Sequence, residues 1–332
     1  MMRLIVLIPV ALLAWGSMVE FGGAPEPPAR QRPLDVNDGA DRAPMVNHPV
    51  SDPGDGVAFT QFVAQKNVSG AASWGDVLAD IERHLPSSYG TTYRDSDKLT
   101  WGHETTHGIN SHLRNYFNKT GKTANGFYVL NNKGVMVQEP NMRKSRVAQF
   151  VPTALQGSRY SLYVTGSTSW DDRPLYIWDE WVAYINGGAV GVDLVHKGQF
   201  SGGWRDGVAG ILEFTAYAIA TAMAVQQYDP GYFAANKQFR EFMAWNMRRG
   251  MEIYREGAKM SQFKWAKQDA YLQKLQSDPS AAKLRAQVKS MFGQTFLEQV
   301  IMGKAGGGAQ PGNTNPNPNP NPNPNPNPNP NP

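Results

Sequence analysis

Trp101-Gly-His-Glu-Thr-Thr-His-Gly108 places two imidazoles four residues apart, with a carboxylate directly after the first. On a helix, residues four apart lie one turn above each other on one face, so His103 and His107 can each turn a ring nitrogen toward one metal ion. Glu104 lies about 100° around the helix from His103, within reach of a metal-bound water without itself taking a coordination position. Zinc lowers the pKa of such a water toward about 7, and Glu104 then takes its proton as it attacks a carbonyl. The chemistry expected of His103, Glu104 and His107 is hydrolysis with one Zn2+ per chain.

A helix must present these side chains, and the flanking residues supply one. Asp97 or Ser96 is an N-cap, Leu99, Trp101, Ile109, Leu113 and Phe117 recur at helical intervals, and no proline interrupts Lys98 to Tyr116. Gly102 and Gly108 each weaken the helix by about 1 kcal/mol relative to alanine, a cost that makes sense where something approaches the backbone closely.

A catalytic zinc takes three protein ligands and keeps one open position, so another His, Glu or Asp is required. His112 lies five residues past His107, about 140° away on a continuous helix, and is expected to be solvated or hydrogen-bonded instead. Leu175 to Asn186 reads as a second helix beginning near Pro174, a residue suited to a first turn. An H-E-x-x-H helix followed by a helix carrying Asp179-Glu180 and Ala183 resembles the gluzincin arrangement of zinc metallopeptidases, including thermolysin-like and anthrax-lethal-factor-like enzymes. The resemblance rests on these two motifs, about twenty residues in all, as a motif reading goes. It implies a zincin-like domain, Glu180 as third zinc ligand, Ala183 as a small residue at the helix contact, and Tyr176 as oxyanion stabiliser ahead of Tyr163. It also has departures: Tyr184 stands where many gluzincins carry an acidic residue, and the clearest strand signals follow the motif helix. Asp179 points about 100° away from Glu180 and suits a partner for a histidine N–H. Glu213, inside the apolar run Val208 to Val225, is the rival ligand, with a structural partner the favoured role.

The rest of the chain organises around one domain. Residues 1–24 read as a signal peptide, a positive start and a short apolar stretch ending near Gly22-Gly-Ala24. Residues 25–56 are rich in Pro, Gly, Asp and Arg and read as a flexible linker or pro-segment, and residues 304–332 as a disordered Gly and Asn-Pro repeat tail. Residues 57–303 are expected to form an α+β, mainly helical domain with a small antiparallel sheet and a helical C-terminal half. Within it, Ser73 to Leu85 reads as a helix. Gly126 to Leu130 and Val135 to Gln138 read as strands joined by the turn Asn131-Asn-Lys-Gly134, and Arg159 to Thr165 as a third strand. Helices are expected at about 205–227, 233–257, 261–276 and 280–300. The hairpin offers an edge to which an extended peptide can add.

The chain has no cysteine, which excludes disulfides, and with the leader this suggests a secreted or periplasmic protein of a bacterial envelope. A net charge of +4 and a pI near 9.1 single out no partner, and no nucleic-acid motif is present. The 205–227 stretch is apolar enough to raise a membrane span, but Glu213 and its threonines favour a buried helix, leaving no stable span once the signal is removed. The expected substrate is a peptide, protein or glycoprotein. The rival readings are a non-catalytic envelope protein with a closed structural zinc using His196 or Asp179, and a helical scaffold without metal.

Overall fold

In a computed structural model of the chain, Lys98–Tyr116 forms a helix of the bounds expected from its periodicity, α2 below, capped by Asp97, whose carboxylate accepts the Leu99 N–H at 3.1 Å. The structure describes residues 52–61, 66, 68, 73–87 and 94–304. These all belong to the unit Val50–Pro332. The expected signal peptide, the linker up to residue 51 and the tail beyond residue 304 lie outside the described residues. Residues 52–56, assigned above to the linker, pack on a helix of the domain: Gly54 N–H donates to Glu241 at 2.8 Å, and Arg248 donates to the Pro53 carbonyl at 3.0 Å.

The order of elements is β1 (Phe59–Gln61), α1 (Gly75–His84), α2 (Lys98–Tyr116), β2 (Ala124–Tyr128), β3 (Lys133–Gln138), α3 (Tyr176–His196), α4 (Ala209–Tyr228), α5 (Pro230–Ala235), α6 (Lys237–Gly257), α7 (Ala266–Ser277) and α8 (Ala282–Phe296). The protein is mainly helical with one small three-stranded antiparallel sheet, ordered β1-β3-β2. The expected hairpin is present, with Tyr128 opposite Gly134 and Ala124 opposite Gln138. Leu130, Asn131 and Asn132 all have positive φ in its turn, which explains the two asparagines.

The third strand is not where its sequence pattern placed it. Tyr160–Thr165 is a short π-helix, and the strand that pairs with β3 is Phe59–Gln61. A buried ammonium overrides the local β-propensity of that segment: Lys144 Nζ donates to the carbonyls of Tyr163, Val164 and Gly166 at 2.8, 3.1 and 2.7 Å, bringing them around one point. The expected 233–257 helix is divided at Asn236, whose side chain caps α6 by accepting the Phe239 N–H. The 280–300 helix is interrupted at Gly293, where φ is 88°. Peptide addition along β2 also meets an obstacle. Tyr128 N–H donates to Asn110 of α2, and its carbonyl accepts from Asn186 of α3, so both polar groups of that edge residue are taken.

The core is built on α3 and α4. Helix α4 is apolar all round and is long enough to cross a membrane, but its residues are packed inside the described fold, among them Leu212, Phe214 and Tyr217. Glu213 on that helix is satisfied by Arg159 at 2.9 Å, by the Arg159 N–H and by the Ser158 and Tyr217 hydroxyls, the structural role favoured from sequence. Helices α2 and α3 touch at small residues. A Cβ on Gly102 would lie 2.8 Å from Val190, and one on Gly187 would lie 2.9 Å from the Leu99 carbonyl oxygen. The close approach expected at Gly102 is therefore α3 itself, whereas at Gly108 it is Leu85 after α1. Ala183 is fully buried, but Gly187 lies against the α2 backbone.

Candidate metal centre

The α2–α3 contact brings the three expected ligands to one point. His103 Nε2 and His107 Nε2 are 3.1 Å apart, and each is 3.5 Å from Glu180 Oε2. Two donors about 2.05 Å from one zinc at a tetrahedral angle would be separated by about 3.3 Å, a value between the observed 3.1 and 3.5 Å. Glu180 is 4% exposed, and its Oε2 is buried without a hydrogen-bond partner. Such an atom is costly unless a cation or a proton meets it, and the two imidazole nitrogens converge on it. The group His103, His107 and Glu180 can therefore hold a metal ion, and the fit rests on this orphaned oxygen and on the donor set.

His107 is held from behind. Its Nδ1–H donates to Asp179 Oδ1 at 2.9 Å, which fixes the tautomer and turns the Nε2 lone pair inward. Asp179 Oδ1 also accepts from Asn110 at 2.7 Å, and Oδ2 accepts from Arg114 at 2.8 Å. Arg114 in turn donates to Asn125 of β2 at 3.2 Å. Burial opposes ionisation of both carboxylates, but His107 and, for Asp179, Arg114 outweigh it and hold them below the usual carboxylate range. Burial likewise disfavours a charged His107, yet the Glu180 and Asp179 charges raise its pKa well above 6.5. Without a cation, a proton on His107 and the Arg114 guanidinium face the two carboxylates.

Asp179 thus stands where the sequence placed it, beside a histidine N–H. Asn110 and Arg114 were not foreseen, although they fall seven residues past His103 and His107 and so on the same face of α2. Glu104 is half-buried and makes no hydrogen bond or ion pair with the described residues. An uncommitted carboxylate next to a ligand is available for proton transfer.

One side of the centre carries aromatic rings. Tyr184 meets His103 edge-on with ring centres 4.5 Å apart, and its hydroxyl lies 3.4 Å from that of Tyr163. Tyr176 stacks on Trp170 at 5.2 Å and donates to Ser167 at 3.5 Å. Burial first, and then the Glu180 carboxylate, raise the Tyr163 and Tyr176 pKa values far above 10, so both phenols remain hydrogen-bond donors. His112 packs against Tyr116 and Phe117 outside the convergent group. His196 contacts Glu256 at the far end of α3, about 24 Å from Glu180 at 1.5 Å per residue.

No family model, curated protein or solved structure matches the chain.

Proposed function

We propose that this chain is a zinc metallopeptidase of gluzincin type, acting outside the cytoplasm on a peptide, protein or glycoprotein. The observation that carries the reading is the buried Glu180 Oε2 facing two imidazole nitrogens at 3.5 Å, with Glu104 next in sequence to His103 and free of hydrogen bonds to the described residues. His103, His107 and Glu180 would hold one zinc, which supplies Lewis acidity to a water and to the substrate carbonyl. Glu104 takes a proton from the attacking water and returns it to the leaving amine. Asp179 keeps the His107 ring oriented, with Asn110 and Arg114 keeping Asp179 ionised. Tyr176 donates a hydrogen bond to the oxyanion, a role its raised pKa supports by keeping the phenol protonated. The leader-like N-terminus and the lack of cysteine support an exported, bacterial-envelope location.

The test is Glu104→Gln. Peptide hydrolysis should fall by about 10²- to 10⁴-fold while zinc content is unchanged, measured on the same preparations. Hydrolysis that survives the substitution at the wild-type rate contradicts the assignment of Glu104.

A further inference from the structure

Helix α3 begins at a residue that cannot cap it. Its N-cap is Leu175, which has no side-chain acceptor, and Pro174 precedes it. Five residues later the same helix delivers Glu180, so the position of this first turn sets where the carboxylate stands. The Leu175 carbonyl accepts the Trp178 and Asp179 N–H of its own helix, and both polar backbone groups of Leu175 are also bonded to the hairpin. Glu139, the residue after β3, accepts the Leu175 N–H through Oε2 at 2.9 Å. Asn125 of β2 donates from Nδ2 to the Leu175 carbonyl at 3.3 Å. The two grips are tied to one another, because the Glu139 N–H donates to the Thr123 carbonyl at 2.9 Å and so extends the β2–β3 ladder. Asn125 also accepts from Arg114, the guanidinium that holds Asp179.

We infer that Glu139 is a positioning residue of the metal centre: by capping α3 from the end of the hairpin, it fixes the turn that carries Asp179 and Glu180 against His103 and His107. The inference rests on the metal-centre reading above. It gives the hairpin a role that peptide addition does not, as the strut between helix α2 and the start of α3.

The surroundings of Glu139 fit an uncharged cap. Arg173 precedes α3, Arg114 lies on α2, Asp179 on α3, and Tyr232 and Asp229 at α5. Burial dominates and pushes the Glu139 carboxyl up to about 8, against the Leu175 N–H and the two arginines. At neutral pH the group is mainly the acid, whose carbonyl oxygen accepts the amide hydrogen as the side-chain oxygen of a glutamine would.

The experiment measures zinc affinity of the whole chain by competition with a chromophoric chelator at pH 7, together with the metal-free Tm, for wild type, Glu139→Gln and Glu139→Leu. The glutamine variant should bind within about twofold of wild type, and the leucine variant about tenfold more weakly, the lower end of the effect of losing an outer partner of a metal ligand. A purely structural role lowers the Tm of the leucine variant and leaves the affinity of the folded protein unchanged, which would overturn the inference. Equal weakening of both variants overturns it as well, since the acceptor would then not be what matters. Glu139→Ala serves the same comparison where the leucine variant does not fold. Absence of zinc binding by wild type overturns the metal-centre reading itself, and this inference with it, so the two failures are distinguishable.

Discussion

A carboxylate oxygen buried without a donor, as in Glu180, is intelligible only through what converges on it. Two imidazole nitrogens do, and a third side chain, Asp179, decides how one of them points. Asp179→Asn keeps the shape but replaces one acceptor oxygen by an amide that cannot accept from His107, Asn110 and Arg114 together. The expected outcome is a 10- to 100-fold loss of zinc affinity by chelator competition, with peptide hydrolysis falling alongside. Affinity equal to wild type would mean that His107 is oriented without Asp179. His103 and His107 were legible in the sequence because their chemistry is rare and their spacing is helical, and Glu180 only through the resemblance of its helix to the gluzincin motif. Asn110 and Arg114 were harder to see, since amides and arginines on a helix face are common and only the position of Asp179 gives them a task.

Between helices, small residues set the distances. The Gly187 Cα faces the Leu99 carbonyl oxygen so closely that an added methyl would lie 2.9 Å from it, and that oxygen is backbone and cannot swing aside. Gly187→Ala is therefore expected to push α3 off α2, costing about 1–3 kcal/mol as overpacking does. The loss is read as a lowered Tm and, because Glu180 is on the same helix, as weaker zinc retention. A wild-type Tm would show that the crossing can relax. The strut between sheet and α3 adds a pH dependence. The Glu139 carboxyl is raised from 4.5 to about 8 in the folded chain, so its contribution to stability is present in full below pH 4.5 and is lost as pH rises through about 8. Glu139→Gln should thus gain in Tm over wild type progressively from pH 5 to pH 9, in parallel thermal melts. A gap independent of pH would place the titration elsewhere. Element type was readable where periodicity ran long, as in α2 and α4. It failed at Tyr160–Thr165, whose Tyr160, Tyr163, Val164 and Thr165 favour a strand until Lys144, sixteen residues before the segment, gathers its carbonyls into a tight turn.

Across the described residues, the α2–α3 pair carries His103, His107 and Glu180, and the other elements fix that pair in place. The sheet holds the start of α3, α4 closes the opposite side with Phe214 stacked on Tyr184, and Tyr184 reaches back to His103. This arrangement was only partly visible in the sequence. A mainly helical domain with a hairpin followed from periodicity and turn residues, but strand order did not, because β1 comes from a short stretch far ahead of the hairpin it joins. On the proposed reading this assembly holds one metal ion, and zinc content is the first quantity to measure. Elemental analysis of the purified whole chain, beside an otherwise identical Glu180→Ala sample, should give about one zinc per wild-type chain and a marked loss in the variant. A folded wild-type chain that takes up no zinc even after incubation with the metal would rule out the metal centre.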